Sequence, residues 1–433
     1  MTKGKAITLG IQHLLAMYAG AILVPLIIGN ALGFNEKQMT YLVAIDILMC
    51  GVATLLQVMR GKYFGIGLPV VLGCTFTAVF PIISIGQSKG IGAIYGAIIA
   101  SGLIIILISG VFGKLVKFFP PVVTGSVVTI IAISLVPVAM NNMGGGQGAS
   151  DFASASNIGL ATVTLLIILL IYRFATGFIR SISILLGLVF GTIVGVFIGK
   201  VDFSPVVDAD VFHMIQPFYF GTPTFDPAAI ITMTLVAMVS LVESSGVYFA
   251  LGDIEKKQLK SSDLSRGYRS EGLASIIGGI FNAFPYTTFS QNVGLIKMTG
   301  VKERKVIVIT GVMLVALGFL PKVAALTTII PTAVLGGAML AMFGMVLTQG
   351  ITMLAPEISK SPENAMIAAI SVALGAGVAF VPNIFEVLPE GISILTSNGI
   401  VCGSLTAIVL NILFNMVGPK KVDPLLATDV TEK

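Results

Sequence analysis

"IGAIYGAIIASGLIIILISGVF", residues 91–112, runs for 22 positions without a charged side chain. At about 1.5 Å of rise per residue, a helix of that length crosses a hydrocarbon core of roughly 30 Å. The rest of the 433-residue chain has the same character, with 56% hydrophobic and only 10% charged residues, and a mean hydropathy of +1.01. That composition excludes an ordinary soluble domain and indicates an all-α polytopic membrane protein. The N-terminal apolar run starts at once and is too long for the core of a signal peptide, so it reads as the first span. Cys50, Cys74 and Cys402 lie in apolar stretches without CxxC spacing. They read as packing residues, with no disulfide framework, metal site or cofactor implied.

Apolar runs outward from this segment lie near 8–29, 38–58, 66–85, 90–112, 122–140, 157–173, 182–199, 229–251, 268–285, 286–298, 305–320, 329–349, 364–381 and 393–417, about fourteen in all. Lys and Arg gather in the loops left on the cytoplasmic side, which orients the chain independently of the count. With both termini in the cytoplasm of a cell-membrane protein, 21 of the 25 basic residues fall inside, and only Lys37, Lys89, Lys200 and Lys322 fall outside. The net charge of +5 therefore reports topology and not a nucleic-acid partner.

The acidic stretch 200–227 separates seven runs from seven more. Two halves with an odd number of spans run in opposite directions across the bilayer, the inverted-repeat plan of secondary transporters. The repeats are predicted at 1–227 and 228–433. "LGCTFTAVFP" (72–81) and "YTTFSQNVG" (286–294) both occur at the third segment of a half, and both are short and polar. Broken or extended segments at matching places are the sequence pointer to a transporter's binding site.

Here a resemblance enters. "QNVGLIKMTG" (291–300), together with "QHLLAMYAG" (12–20), "VESSG" (242–246) and "SEGLASIIGGIFNAFPYTTFSQN" (270–292), resembles the nucleobase–ascorbate transporter family in order and spacing. The Gln-Asn form of the first motif is similar to the xanthine and uric acid permeases, whereas uracil permeases carry Glu at its first position. The resemblance implies proton-coupled uptake of a purine base, xanthine or uric acid, with the proton as coupling ion and a homodimer in the membrane. It also implies a core domain (1–120 and 228–325) that holds substrate and moves against a gate domain (121–227 and 326–420).

Glu243 lies about 12 Å of helix rise from Leu251 at the inner end of its predicted span, near the midplane. A carboxylate there costs at least about 2.5 kcal/mol on insertion scales unless it faces a cavity, holds a partner or takes a proton. It suits the ring N–H groups of an oxopurine, and the family's matching glutamate is a substrate ligand. Gln291 offers one acceptor and two donors on a single planar group, which fits an adjacent C=O and N–H. By resemblance Thr75, Phe76 and Ser290 complete the substrate set, with Phe76 stacking on the base or lining its edge. Asn292, Gly294 and Thr299 stand in the motif as supports. The competing readings are a helix-packing hydrogen bond for Glu243, satisfaction of its own broken segment for Gln291, ordinary packing for Phe76 and direct substrate contact for Asn292.

His13, Glu271 and Glu243 are the candidates for proton coupling. Histidine titrates near physiological pH, although a neutral histidine bonded across helices is the competing reading. Glu271 stands at the start of a span, where a solvated helix-end carboxylate competes with coupling. Asp46, about 9 Å from its outer helix end, reads as structural. The sequence departs from some family members at Val247, where they carry Asp or His one turn after the ligand glutamate. Two other function classes fit a polytopic chain less well. An enzyme is disfavoured by the lack of HExxH and GxSxG motifs and by the presence of only two histidines. An anion transporter on the same plan, or an ascorbate-type substrate, is disfavoured by a midplane carboxylate.

Overall fold

A computed structural model describes residues 2–115, 119–388, 396 and 398–417. The inner-loop Lys117, the tail lysines from Lys420 and most of the start of the last predicted span lie outside the described residues. The first half holds α1 (Lys3–Ala31), α2 (Glu36–Val58), β1 (Leu72–Cys74), α3 (Val79–Lys89), α4 (Ile91–Leu115), α5 (Pro121–Met143), α6 (Ala155–Phe174), the short α7 (Gly177–Ser181) and α8 (Ser183–Phe197). A turn of helix, α9 (Ser204–Asp208), lies in the acidic connection. The second half holds α10 (Pro227–Glu255), α11 (Ser261–Ile280), β2 (Tyr286–Thr288), α12 (Ser290–Thr299), α13 (Arg304–Gly318), α14 (Pro321–Thr328), α15 (Thr332–Ile358), α16 (Pro362–Phe380) and α17 (Gly399–Asn411).

Nine of these helices, among the described residues, are long and apolar enough to cross a bilayer. The pair α13 and α14 bends by 82° and makes a tenth if taken as one span. The remaining segments are shorter or less apolar: β1 with α3 and β2 with α12 are short and polar in the way the sequence suggests, α8 is short but apolar, and α11, expected as an apolar run at 268–285, starts at Ser261 with a polar first half. Local chemistry sets many of the boundaries. Asn35 opens α2 with a capping box, its side chain accepting from Gln38 N at 3.0 Å while the Gln38 side chain accepts from Asn35 N at 3.0 Å. Asp226 caps α10 by accepting from Ala229 N at 2.9 Å, with Pro227 at the first helical position.

The contacts carry the inverted repeat directly. α4 packs on α11 and α2 on α13; α6 packs on α15 and α5 on α16; α6 packs on α8 and α16 on α17. Each pair becomes its mate when the nth segment of one half is exchanged for the nth of the other. Elements that exchange with each other also meet: α5 packs along α15, and β1 pairs antiparallel with β2. An antiparallel pairing of equivalent strands is what a two-fold axis in the membrane plane produces.

Glycine pairs permit two close helix crossings. A Cβ on Gly102 of α4 would sit 2.7 Å from Gly272 O of α11, and one on Gly272 would sit 2.7 Å from Gly102 O. The mate crossing repeats this, since a Cβ on Gly51 of α2 would lie 2.6 Å from Gly311 O of α13. No residue with a side chain fits at these positions without moving a backbone.

Candidate functional site

The site is built on the strand crossing. Leu72 pairs with Thr288, Gly73 with Thr287 and Cys74 with Tyr286. Main-chain bonds extend the ladder at both ends, Thr75 N donating to Pro285 O at 3.0 Å and Phe289 N to Val71 O at 2.9 Å. Extended backbone inside a bilayer is tolerated only where its polar groups are satisfied by protein. Side chains of the flanking helices do this: Thr54 Oγ1 accepts from Leu72 N at 3.0 Å, and Ser244 Oγ accepts from Thr288 N at 3.3 Å. The Phe289 ring locks the crossing, since a Cβ on Gly73 would lie 2.3 Å from it and one on Gly20 of α1 2.7 Å from it. The half-helices α3 and α12 start at the C-terminal ends of the two strands. Thr75 starts the turn into α3, its Oγ1 accepting from Thr77 N at 3.3 Å and sharing a hydrogen bond with Ser240 Oγ at 3.2 Å.

Beside the crossing lies a cleft of about 410 Å³ with two walls. Glu243, Gly246, Val247 and Ala250 of α10, with Ser290, Val293, Gly294 and Lys297 of α12, form one wall. Thr124 and Val128 of α5, with Gln349 and Met353 of α15, form the other. Glu243 is half-buried in it, 16 residues from the start of a helix that continues to Glu255, so the longer helix still leaves it near the middle of the span. Gly294 faces open space, with no atom within 4 Å of the point where a Cβ would stand. Ser290 Oγ donates to Gln349 Oε1 across the cleft at 3.4 Å.

The other sequence-selected residues lie around this cleft. Gln291 is exposed in the first turn of α12, next to Ser290, and is not among the cleft-lining residues. Thr75 is buried at the crossing, and the Phe76 ring stands edge-on to Phe343 of α15 at 5.8 Å. Asn292 points away from the cleft: its Nδ2 donates to His13 O at 2.9 Å and meets His13 Nδ1 at 3.1 Å, both residues being buried in α1 and α12. One amide nitrogen serving both partners makes Nδ1 the acceptor, which puts the proton of a neutral imidazole on Nε2. Thr299 closes α12, its Oγ1 donating to Leu295 O at 2.8 Å, before Gly300 turns the chain at φ 68°.

Glu271 is 3% exposed, not a solvated helix end. Tyr248 donates to its Oε1, and Ser244 Oγ donates to its Oε2 at 3.1 Å. Gln57 Nε2 donates to the Tyr248 hydroxyl and to Gly267 O at 3.2 Å. Ser244 Oγ also meets Thr287 Oγ1 at 3.2 Å, which joins Glu271 to strand β2. Asp46 is equally buried, and the Cys74 thiol donates to its carboxylate at 2.6 Å. Asp46, Cys50 and Cys74 place their ligand-type atoms within 4.8 Å of one another, so two of the cysteines read as plain packing have a polar neighbour.

A second cavity, about 1140 Å³, opens at the other end of α5 and α15, where Asn141, Asn142 and Thr332 line it with Phe80 of α3. Phe343 lies on α15 between Thr332 and Gln349, so the Phe76–Phe343 contact stands between the two cavities along that helix.

Sequence reasoning passed over Gln349, Gln57 and Lys297. Gln349 carried a readable signal, a lone carboxamide in the apolar run "MVLTQGITML" (345–354), of the kind that marks function within a membrane.

The family model described as "Permease family" matches residues 4–384. A xanthine permease of Bacillus subtilis (strain 168) is 63% identical over 418 residues, 96% of this chain and 95% of its own. The uric acid permease PucK of the same organism is 60% identical over 415 residues, 96% of each chain. Among solved structures, the transmembrane domain of the cyanobacterial bicarbonate transporter BicA matches with a TM-score of 0.66 at 15% identity, over 87% of this chain and 96% of its own, a likeness of fold.

Proposed function

The chain belongs to this permease family, the nucleobase–ascorbate transporters, and is a multi-pass membrane transporter and not an enzyme; on that ground we propose that it takes up purine bases, xanthine first and uric acid second, by proton-coupled alternating access. The observation that carries the reading is Glu243 and Ser290 sharing one cleft at the start of the half-helix α12. An ionised carboxylate accepts from ring N–H groups, and the cleft is large enough for a bicyclic base. The relatives named above, a xanthine permease and a uric acid permease, support the substrate class.

In this reading α1–α4 and α10–α14 form the core, and α5–α8 with α15–α17 form the gate. The glycine crossings lie within the core and bind it into one body, while the cleft and the larger cavity lie between core and gate. The Phe76–Phe343 contact then separates an outer vestibule from an inward cleft, with both termini in the cytoplasm. Thr75 and Phe76 shape the crossing, Gln291 reads an oxo/imino edge when substrate draws α12 inward, and Asn292, Gly294 and Thr299 hold that helix. Coupling falls on Glu243 and Glu271, while His13, engaged by Asn292, braces α1.

Competition of unlabelled bases against labelled xanthine uptake, in cells lacking purine transport, tests the assignment. Gln291→Glu removes both amide donors and adds an acceptor, so the C=O it faces is left unpaired. Xanthine affinity should fall by roughly 5- to 150-fold, from a loss of about 1–3 kcal/mol, while uracil, richer in N–H donors toward that group, loses less. Glu243→Gln should weaken every base. Unchanged ranking in Gln291→Glu would confine that residue to helix support, and absence of purine uptake by the wild type would overturn the function.

A further inference from the structure

We propose that Gln349 is a substrate-contacting residue on the gate-side wall of the cleft and that it sets the choice between xanthine and uric acid. The inference rests on the purine reading above. It starts from what distinguishes the two bases. Both carry the same pyrimidinedione ring, so groups that read this ring cannot tell them apart. They differ at the imidazole edge, where uric acid has a C8 oxo group flanked by N–H donors and xanthine has C8–H flanked by one N–H and one bare nitrogen.

A base held by Glu243 through its pyrimidinedione edge turns its imidazole edge toward the opposite wall. The side chains of that wall are Thr124, Val128, Gln349 and Met353. Val128 has no hydrogen-bonding group, and Met353 offers only a weakly accepting thioether. The Thr124 hydroxyl is directed at the carbonyls of Phe119 and Pro120 in the preceding turn, at 3.4 and 3.5 Å. Gln349 remains. It is exposed to the cleft, its Oε1 is held only by the 3.4 Å bond from Ser290, and its Nε2 donates to no group among the described residues.

A carboxamide in that position presents one donor and one acceptor side by side. The uric acid edge presents the complement, an oxo group to receive Nε2–H and an adjacent N–H to donate to Oε1, whereas xanthine can satisfy only one of the two. A site that bonds a polar edge discriminates against the analogue lacking it, because the site's own groups are left unpaired. Because an amide oxygen has two lone pairs, Oε1 can accept from the substrate while it keeps the bond from Ser290, so the base joins a hydrogen bond that already spans the cleft.

The test is competition for labelled xanthine uptake in Gln349→Met, which keeps the length of the side chain and removes its polar groups. Inhibition constants do not depend on how much protein reaches the membrane, so reduced expression leaves the comparison intact. The constant for uric acid should rise about 5- to 100-fold and that for xanthine by no more than a third of that factor. Gln349→Asn, with the same amide on a shorter arm, should fall between Met and wild type. Equal weakening of both bases, or an unaltered uric acid to xanthine ratio in both variants, would overturn the role of Gln349 while leaving purine transport standing. A wild type that carries no purine would overturn both.

Discussion

Replacing Asn292 by Leu removes one buried amide and isolates what this residue does. The Asn292 amide nitrogen serves His13 O at 2.9 Å and His13 Nδ1 at 3.1 Å. In Asn292→Leu a methyl group takes its place and donates to neither acceptor. Two hydrogen bonds are lost, at about 0.5–1.5 kcal/mol each, and Nδ1 of a buried imidazole is left unpaired at about 1–3 kcal/mol. The carbonyl of His13 lies within α1 and keeps its helical partner, so only the ring nitrogen is stranded. The expected destabilisation is about 2–6 kcal/mol. Thermal unfolding of the purified protein in detergent, followed by the loss of its monodisperse peak, reads the effect without reference to transport. Because the two residues share one interaction, His13→Phe combined with Asn292→Ala should cost less than the sum of the single changes, by about 0.5–3 kcal/mol. The reasoning fails if Asn292→Leu keeps full thermal stability and instead raises the KM for xanthine, which would put Asn292 in the substrate pocket.

Gly272→Val should destabilise by about 1–3 kcal/mol or more, because its side chain would press on Gly102 O at the α4–α11 crossing, whereas Gly377→Ala, with nothing within 4 Å of the new Cβ, should be neutral or slightly stabilising; thermal midpoints of the two variants check the contrast. Glu271→Gln should abolish accumulation of xanthine above its external concentration while retaining exchange, as a protonophore does to the wild type, and sodium should restore neither. Gradient-driven accumulation that persists in Glu271→Gln would remove that residue from the coupling scheme.

The membrane class, the two halves and the broken third segments were legible because each follows from a local property: uncharged length, an acidic stretch between two sets of apolar runs, and polarity where a span should be apolar. The strand pairing was not. "LGCTF" and "YTTFS" carry β-compatible residues, but their register depends on the Phe289 ring between Gly20 and Gly73, a contact among three distant stretches of chain. Site residues divide the same way. Glu243 was readable as a charge in an apolar helix, and so was Gln349, had the same rule been applied to uncharged amides. The burial of Glu271 was hidden, since helix α11 begins in a polar sequence and its partners Tyr248, Ser244 and Gln57 come from two other helices. His13 offered a histidine bonded across helices as one of its two readings, but its partner was hidden, because the contact with Asn292 spans 279 positions.

The Glu271 network also gives the proposed coupling a physical route to the substrate cleft. As an ionised carboxylate, Glu271 accepts from Tyr248 and from Ser244, so both of its oxygens are occupied by donors. A proton added to Glu271 turns one oxygen into a donor and sets it against a hydroxyl hydrogen. Tyr248 already accepts from Gln57, which leaves Ser244 as the group free to rotate, with Thr287 Oγ1 standing 3.2 Å from it as the next acceptor. Ser244 then accepts from Glu271 and donates to Thr287, while it still receives Thr288 N. The change is thereby delivered to β2, two residues before Ser290, and to the residue next to Glu243 on α10. Proton and base need not touch the same atom in this scheme. They need only bias the same hydroxyl, and Ser244→Ala, which deletes it and leaves both carboxylates in place, should uncouple accumulation from the proton gradient if the route runs as drawn.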